Sequence, residues 1–94
     1  MYLISYDISE NKLRTKVAKK LEDYGRRVQY SVFECRLDKK RFKRLYGELA
    51  ELTAEMDGGS IRIYSLDKAA EESLTIIGDS EYSGLKPEEE VIFI

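Results

Sequence analysis

Met1-Tyr2-Leu3-Ile4-Ser5-Tyr6-Asp7-Ile8-Ser9-Glu10-Asn11 decides how the rest of the chain is read. Its first six residues are mostly apolar or aromatic and read as a buried strand, and Asp7 to Asn11 reads as the turn that ends it. A carboxylate at the mouth of such a strand has its backbone fixed by the strand and its oxygens reachable from the loop. Asp7 therefore has two readings, a cap or turn residue for the element that follows and a ligand for a metal ion.

Outward from this stretch, Ser9 or Asn11 can cap a helix running to about residue 24, with Gly25 as its stop. Leu13, Val17, Leu21 and Tyr24 form its apolar stripe, widened by Ala18. Arg27 to Leu37 is rich in β-branched and aromatic residues and alternates as a strand. It is long for one strand and short for a hairpin, and a bend can fall at Tyr30-Ser31. Asp38 caps a second helix over residues 39–55 with Phe42, Leu45, Tyr46, Leu49, Leu52 and Met56 on its stripe, ended by Asp57-Gly58-Gly59. Ser60 to Leu66 alternates as a further strand, residues 67–73 read as a polar helical turn, and Leu74-Thr75-Ile76-Ile77 as a short strand. A polar connector over residues 79–90 leads to Val91-Ile92-Phe93-Ile94. Four bulky apolar residues after an acidic connector call for a strand partner, in their own sheet or in a second protomer's.

Ninety-four residues make one domain, with a core over residues 1–78, and a chain this short gains from homodimerisation. No segment approaches the ~20 apolar residues of a membrane span. Asp7 interrupts the N-terminal apolar run too early for a secretory signal, so the expected location is cytoplasmic. The single Cys35 can form neither an internal disulfide nor a thiolate metal site, and a small buried core residue is its expected role. The chain has no histidine. Imidazole relays and His-ligated zinc are thereby excluded, and any acid–base or metal chemistry falls to carboxylates, hydroxyls and tyrosines.

The formal charge of -2 conceals a strong asymmetry. Residues 11–44 hold thirteen Lys/Arg against four acids, and residues 45–94 hold three against twelve. Such a division points to a polyanion-binding face beside an acidic one. Lys39, Lys40, Arg41, Lys43 and Arg44 crowd the first turns of the second helix, while Glu48, Glu51 and Glu55 follow toward its end. The macrodipole favours the reverse order by about 0.3–1 kcal/mol per exposed charge. A basic ridge for nucleic-acid phosphates explains the inversion, and a solvated helix face is the plainer alternative. Lys12, Lys16 and Arg26 extend the basic set, and Arg26-Arg27 can fork onto phosphate oxygens. Tyr30 and Phe33 can stack on bases or pack in the core.

Tyr6-Asp7-Ile8 followed by Arg26-Arg27-Val28-Gln29-Tyr30-Ser31-Val32-Phe33-Glu34-Cys35, with Leu13-Arg14 between them, resembles the second core CRISPR adaptation protein, a small nuclease-fold subunit that partners the spacer integrase. The resemblance runs over nearly the whole chain, including Arg62-Ile63-Tyr64-Ser65-Leu66 and the apolar tail. It implies an α+β, ferredoxin-like βαββαβ sandwich with an extra C-terminal strand over residues 91–94 that crosses to the partner, in a homodimer packed through the sheets. It further implies that Asp7 of both protomers approaches one Mg²⁺ (or Mn²⁺) at the dimer interface, with Tyr6, Arg14, Arg27, Ser31 and Phe33 as supporting residues. Lys16 stands where many relatives carry arginine, and the acidic run after Asp7 is thinned to Glu10.

Three functions follow from residues and resemblance together. The first is a metal-dependent endonuclease acting on single-stranded RNA or double-stranded DNA within CRISPR spacer acquisition, with Arg14 or Arg27 steadying the phosphate. The second is a non-catalytic DNA-binding scaffold bridging integrase dimers on prespacer DNA. A toxin-like ribonuclease of similar fold is the third.

Overall fold

β1 (Tyr2–Asp7) meets two environments along its length: Ile4 and Tyr6 are buried, Leu3 and Ser5 half-buried, and Asp7 exposed. This alternation comes from a computed structural model, which describes residues 1–78. After β1 the order is α1 (Asn11–Glu22), β2 (Arg26–Gln29), β3 (Val32–Cys35), α2 (Lys39–Leu52), β4 (Ser60–Ser65) and the short α3 (Lys68–Glu72). The four strands form one antiparallel sheet in the order β2-β3-β1-β4. The fold is therefore α+β. The expected connector over 79–90 and the C-terminal strand over 91–94, with its crossing to a partner, lie outside the described residues.

α1 and α2 cover one face of the sheet. Ile4, Tyr6, Phe33 and Cys35 point down from the strands and meet Val17, Ala18, Leu21, Leu45 and Leu49 from the helices. Each large apolar side chain taken out of water here contributes about 1.5–3 kcal/mol. Burial also pushes the Cys35 thiol up to about 11, so it stays protonated and behaves as the small core residue expected from sequence. Among the described residues no helix is long and apolar enough to cross a membrane.

The stretch from Arg26 to Cys35 is a hairpin that turns at Tyr30-Ser31, where the sequence allowed a bend, with a register shift between Arg27 and Gln29. A bulge there adds one residue to β2, which bends the strand and strengthens its twist. The N-cap of α1 is Glu10 and makes no side-chain cap bond, so neither Ser9 nor Asn11 caps the helix. Asn11 is engaged instead by Arg14, whose guanidinium donates to its side-chain oxygen. α1 ends at Glu22 with Asp23 as its C-cap rather than at 24, and Gly25 beyond it has no positive φ; what requires glycine there is proximity. A Cβ there would lie 2.9 Å from Cys35 Cα and would strike the Glu34 carbonyl. α2 stops at Leu52 rather than 55, where Thr53 turns its hydroxyl back to donate to the Leu49 carbonyl at 2.8 Å. Asp38 does cap α2, accepting from Arg41 N at 2.8 Å.

Leu74 to Ile77 is not a strand. The segment has no ladder partner among the described residues, and Leu74, Ile76 and Ile77 are 50%, 52% and 98% exposed. It borders a groove of about 370 Å³ on the helix-free face of the sheet, together with Leu3, Val28 and Val32. That face is the one the helices leave open.

Candidate functional site

Strand alternation separates the site residues into two sets. Tyr6 faces the helices, so Asp7, the next residue, faces the open side. Asp7 pairs in register with Ser60 of β4 and is exposed. Its carboxylate takes no hydrogen bond or ion pair from any described residue, and Glu10 rather than Asp7 occupies the N-cap of α1. The cap reading of Asp7 therefore fails. What remains is an uncompensated carboxylate held at the end of a six-residue strand.

The backbone beneath it is tightly fixed. Gly59 has φ +84°, and a Cβ at that position would lie 2.6 Å from the Asp7 carbonyl oxygen. Both the left-handed conformation and the close approach demand glycine. Gly59→Ala is expected to lower stability by about 1–3 kcal/mol. It should also shift the amide NMR resonances of residues 6–8. A mutant with a wild-type urea midpoint and unmoved resonances would refute this account.

On the helix side, Tyr6 is a buried hub. Its hydroxyl donates to the Tyr30 carbonyl at 3.3 Å and accepts from Arg27 Nη2 at 3.2 Å. Burial raises its pKa, partly offset by the Arg27 hydrogen bond and charge. The Arg27 guanidinium sits 5.1 Å from the Phe33 ring centroid and 5.8 Å from that of Tyr30. Phe33 is fully buried. It cannot stack on a base, and its role is to floor this cluster. Ser31 contributes its carbonyl, which accepts from Tyr6 N at 3.1 Å and ties the hairpin turn to β1.

Arg14 is also committed. Nη1 donates to the Ile8 carbonyl at 2.9 Å and the Ser9 carbonyl at 3.3 Å, which fastens the loop that follows Asp7. Of the two arginines expected to steady a phosphate, Arg14 is thus holding a loop, and Arg27 lies on the opposite face from Asp7. Tyr6, Ser31, Phe33, Arg14 and Arg27 form a support for β1 and its exit.

The basic ridge is real but displaced from Asp7. β3 delivers Cys35 opposite Tyr2, so α2 begins at the Tyr2 end of the sheet. Lys39, Lys40, Arg41, Lys43 and Arg44, all exposed, lie there. At ~3.3 Å per residue, a six-residue strand puts roughly 17 Å between that end and Asp7. α1 runs the other way, placing exposed Lys12 and Lys16 nearer Asp7. Arg26 is exposed and pairs with Glu34 at 3.3 Å.

Where the two helices meet, Lys20 Nζ lies 2.8 Å from Glu48 Oε2 and the Tyr24 hydroxyl donates to Glu48 Oε1 at 2.8 Å. The hydrogen bonds donated by Lys20 and then Tyr24 lower the pKa of Glu48, and donating to Glu48 raises that of Lys20. This latch persists above the ordinary carboxylate range and is lost as pH falls through Glu48's depressed pKa. Arg41 adds a guanidinium 5.2 Å from the Tyr24 ring centroid. Nothing in the sequence periodicity marks Glu48 as a clasp within the ridge.

For a metal ion, one protomer offers little. Among the described residues no three Asp, Glu, His or Cys side chains cluster closely enough to hold one. Asp7 supplies oxygen only, which suits a hard cation such as Mg²⁺ or Mn²⁺ and not zinc. Mg²⁺ retains several waters, so a second carboxylate beside Asp7 would make a chemically adequate donor set.

The family model for CRISPR associated protein Cas2 matches residues 1–73. A Chloroflexus aurantiacus protein named CRISPR-associated endoribonuclease Cas2 1 is 47% identical over 78 residues, covering 83% of this chain and 84% of its own. Streptococcus pyogenes Cas2 superposes with TM-score 0.69 at 33% identity, covering 82% of this chain and 98% of its own. A chain from a partial Cas6-RT-Cas1–Cas2 complex superposes with TM-score 0.71 at 30% identity, over 90% of this chain and 97% of its own.

Proposed function

The chain belongs to the Cas2 family of CRISPR-associated proteins, and from that membership we propose that it is a metal-dependent phosphodiester endonuclease of CRISPR spacer acquisition, working as a homodimer. The observation that carries this reading is the unpartnered, exposed Asp7 carboxylate at the end of β1, on the face the helices leave open. The fold is then ferredoxin-like, and its open face, with Leu3, Val28, Val32 and the exposed Leu74, Ile76 and Ile77, is the surface that two protomers bury against each other. Asp7 from each of two protomers would hold Mg²⁺ or Mn²⁺. Bound there, the cation would supply Lewis acidity. The protein's own part is to fix the carboxylates: Gly59 packs under the Asp7 carbonyl, Arg14 fastens the loop beyond it, and the Tyr6–Arg27–Phe33 cluster holds β1 from the helix side.

Relatives are named as endoribonucleases and, in Thermus thermophilus, as an endonuclease, which supports nuclease chemistry without choosing RNA or DNA. Purified protein should sediment as a dimer and cleave single-stranded RNA or duplex DNA only when Mg²⁺ or Mn²⁺ is present. Absence of cleavage on both substrates with both metals across a pH series would overturn the enzymatic reading.

The second reading is a scaffold that bridges copies of the spacer integrase on duplex DNA. The position of the α2 ridge favours it, since residues roughly 17 Å from Asp7 cannot grip the phosphate that Asp7 would address. They suit a sequence-independent hold on more distant backbone. A neighbour drawn from a Cas1–Cas2 complex is consistent with the same role. Changing Lys39, Lys40 and Arg41 to glutamate should weaken duplex binding at least tenfold. It should also flatten the log–log salt dependence by up to about 3 phosphate equivalents. Unchanged affinity and slope would remove the ridge from the interface.

A further inference from the structure

Neither of the two arginines expected to steady the phosphate serves the face of Asp7, because Arg14 fastens a loop and Arg27 lies beneath the sheet. Strand register supplies one. Ser5 of β1 pairs with Arg62 of β4, and Asp7 pairs with Ser60. Side chains two apart on a strand share a face, so Arg62 is the diagonal cross-strand neighbour of Asp7, a separation of about 7–8 Å that a long side chain spans. The residue directly opposite Arg62 is the small Ser5, which leaves the guanidinium free to swing along the strand. Arg62 is exposed.

The other charges on this face sharpen the point. Glu34 and Arg26 share it and neutralise each other at 3.3 Å. Asp7 and Arg62 are left, and neither takes an ion pair or side-chain hydrogen bond with any described residue. They are neighbours that have not collapsed onto each other. A cation beside an uncompensated carboxylate, on the β1–β4 side of the face and outside the groove lined by Leu3, Val28, Val32 and Leu74 to Ile77, matches a phosphodiester held between a metal-binding carboxylate and a guanidinium fork.

We propose that Arg62 is the phosphate-binding catalytic residue of the Asp7 site, gripping the non-bridging oxygens of the scissile phosphodiester. The proposal rests on the nuclease reading above. In the hydrolysis, a water oxygen forms one new bond to phosphorus while the bond from phosphorus to the leaving sugar oxygen breaks. The water proton passes through solvent to that leaving oxygen. Negative charge grows on the non-bridging oxygens as this happens, and a fixed guanidinium stabilises it more strongly than it stabilises the ground state.

Four proteins test the assignment: wild type, Asp7→Asn, Arg62→Ala and Arg62→Lys. Each is measured for Mn²⁺ affinity by calorimetry, for dimerisation by sedimentation, for binding a single-stranded RNA oligomer and a DNA duplex in EDTA, and for single-turnover cleavage with Mg²⁺. Arg62→Ala should keep wild-type Mn²⁺ affinity and dimerisation, bind the cleaved substrate several-fold more weakly in EDTA, and cleave about 10²–10³-fold more slowly. Arg62→Lys should recover binding but only part of the rate, because the ammonium keeps the charge and loses the fork. Cleavage by Arg62→Ala at the wild-type rate, with Asp7→Asn inactive, would overturn the role of Arg62 and leave the nuclease reading standing. Loss of the dimer or of Mn²⁺ affinity in both Arg62 variants would make Arg62 structural, which also overturns the proposal. A wild-type protein that neither binds Mn²⁺ nor cleaves would remove the nuclease reading, and the catalytic role of Arg62 with it.

Discussion

Asp7→Asn is expected to reduce metal-dependent cleavage by three orders of magnitude or more while leaving the fold and the dimer intact. The carboxamide keeps the size and shape of the side chain but removes the charge that a divalent cation requires, and in a symmetric dimer both ligands change at once. Each tenfold loss in rate corresponds to about 1.4 kcal/mol of transition-state stabilisation, so a three-decade loss asks for only about 4 kcal/mol from two lost carboxylates. The fold should not notice. Asp7 is exposed, accepts no hydrogen bond from a described residue and caps no helix, so nothing in the folded chain depends on its charge. Removing two like charges from the dimer axis should, if anything, favour association. Single-turnover cleavage, Mn²⁺ calorimetry and sedimentation read the three effects separately. Retained cleavage by the asparagine variant would take Asp7 out of the chemistry, and a variant that still acquires spacers in cells without cleaving would give the scaffold reading its strongest support.

Phe33→Ala should have the largest effect on stability, about 3–5 kcal/mol. Phe33 is fully buried, stands 6.4 Å from the Tyr6 ring and carries the Arg27 guanidinium at 5.1 Å. Truncation opens a cavity under β1 and takes away the floor on which Arg27 and Tyr6 are arranged. A domain of this size has only about 5–15 kcal/mol of stability in total, so much of it would go. The urea midpoint should fall with the slope unchanged. A base-stacking Phe33 makes the opposite prediction, with weaker oligonucleotide binding and an unmoved midpoint. Phe33→Leu, which refills most of the space, should recover most of the loss.

Both expectations turn on which way a side chain faces, and the sequence carried only part of that. Asp38 as the cap of α2, the stripe that buries Leu45 and Leu49, and a first strand, read to Tyr6 and found to include Asp7, were all legible, because each depends on neighbours within about one helical turn or one strand. The ends of elements were read less well. Asn11 looked like a cap until Arg14 claimed it, and Leu74 to Ile77 looked like a strand although no ladder partner stands beside it. For Asn11 the competitor was a guanidinium one helical turn away, and for Leu74 to Ile77 a ladder partner is absent from the described fold.

By itself, then, the sequence determined where its main helices and strands run, the absence of imidazole chemistry, the basic middle of the chain and the prominence of Asp7. Periodicity, capping and composition are local or additive, and need no knowledge of what pairs with what. Only the tertiary structure decided that Arg27 and Tyr6 lie on the far side of the sheet from Asp7, that the α2 ridge stands at the opposite end of β1, and that Arg62 lies diagonal to Asp7. Those relations are fixed by the register of antiparallel strands. A one-residue slip in register would turn every side chain of β4 to the other face, and the hydrophobic demand of Ile61 and Ile63 for the core is what prevents the slip and leaves Arg62 beside Asp7.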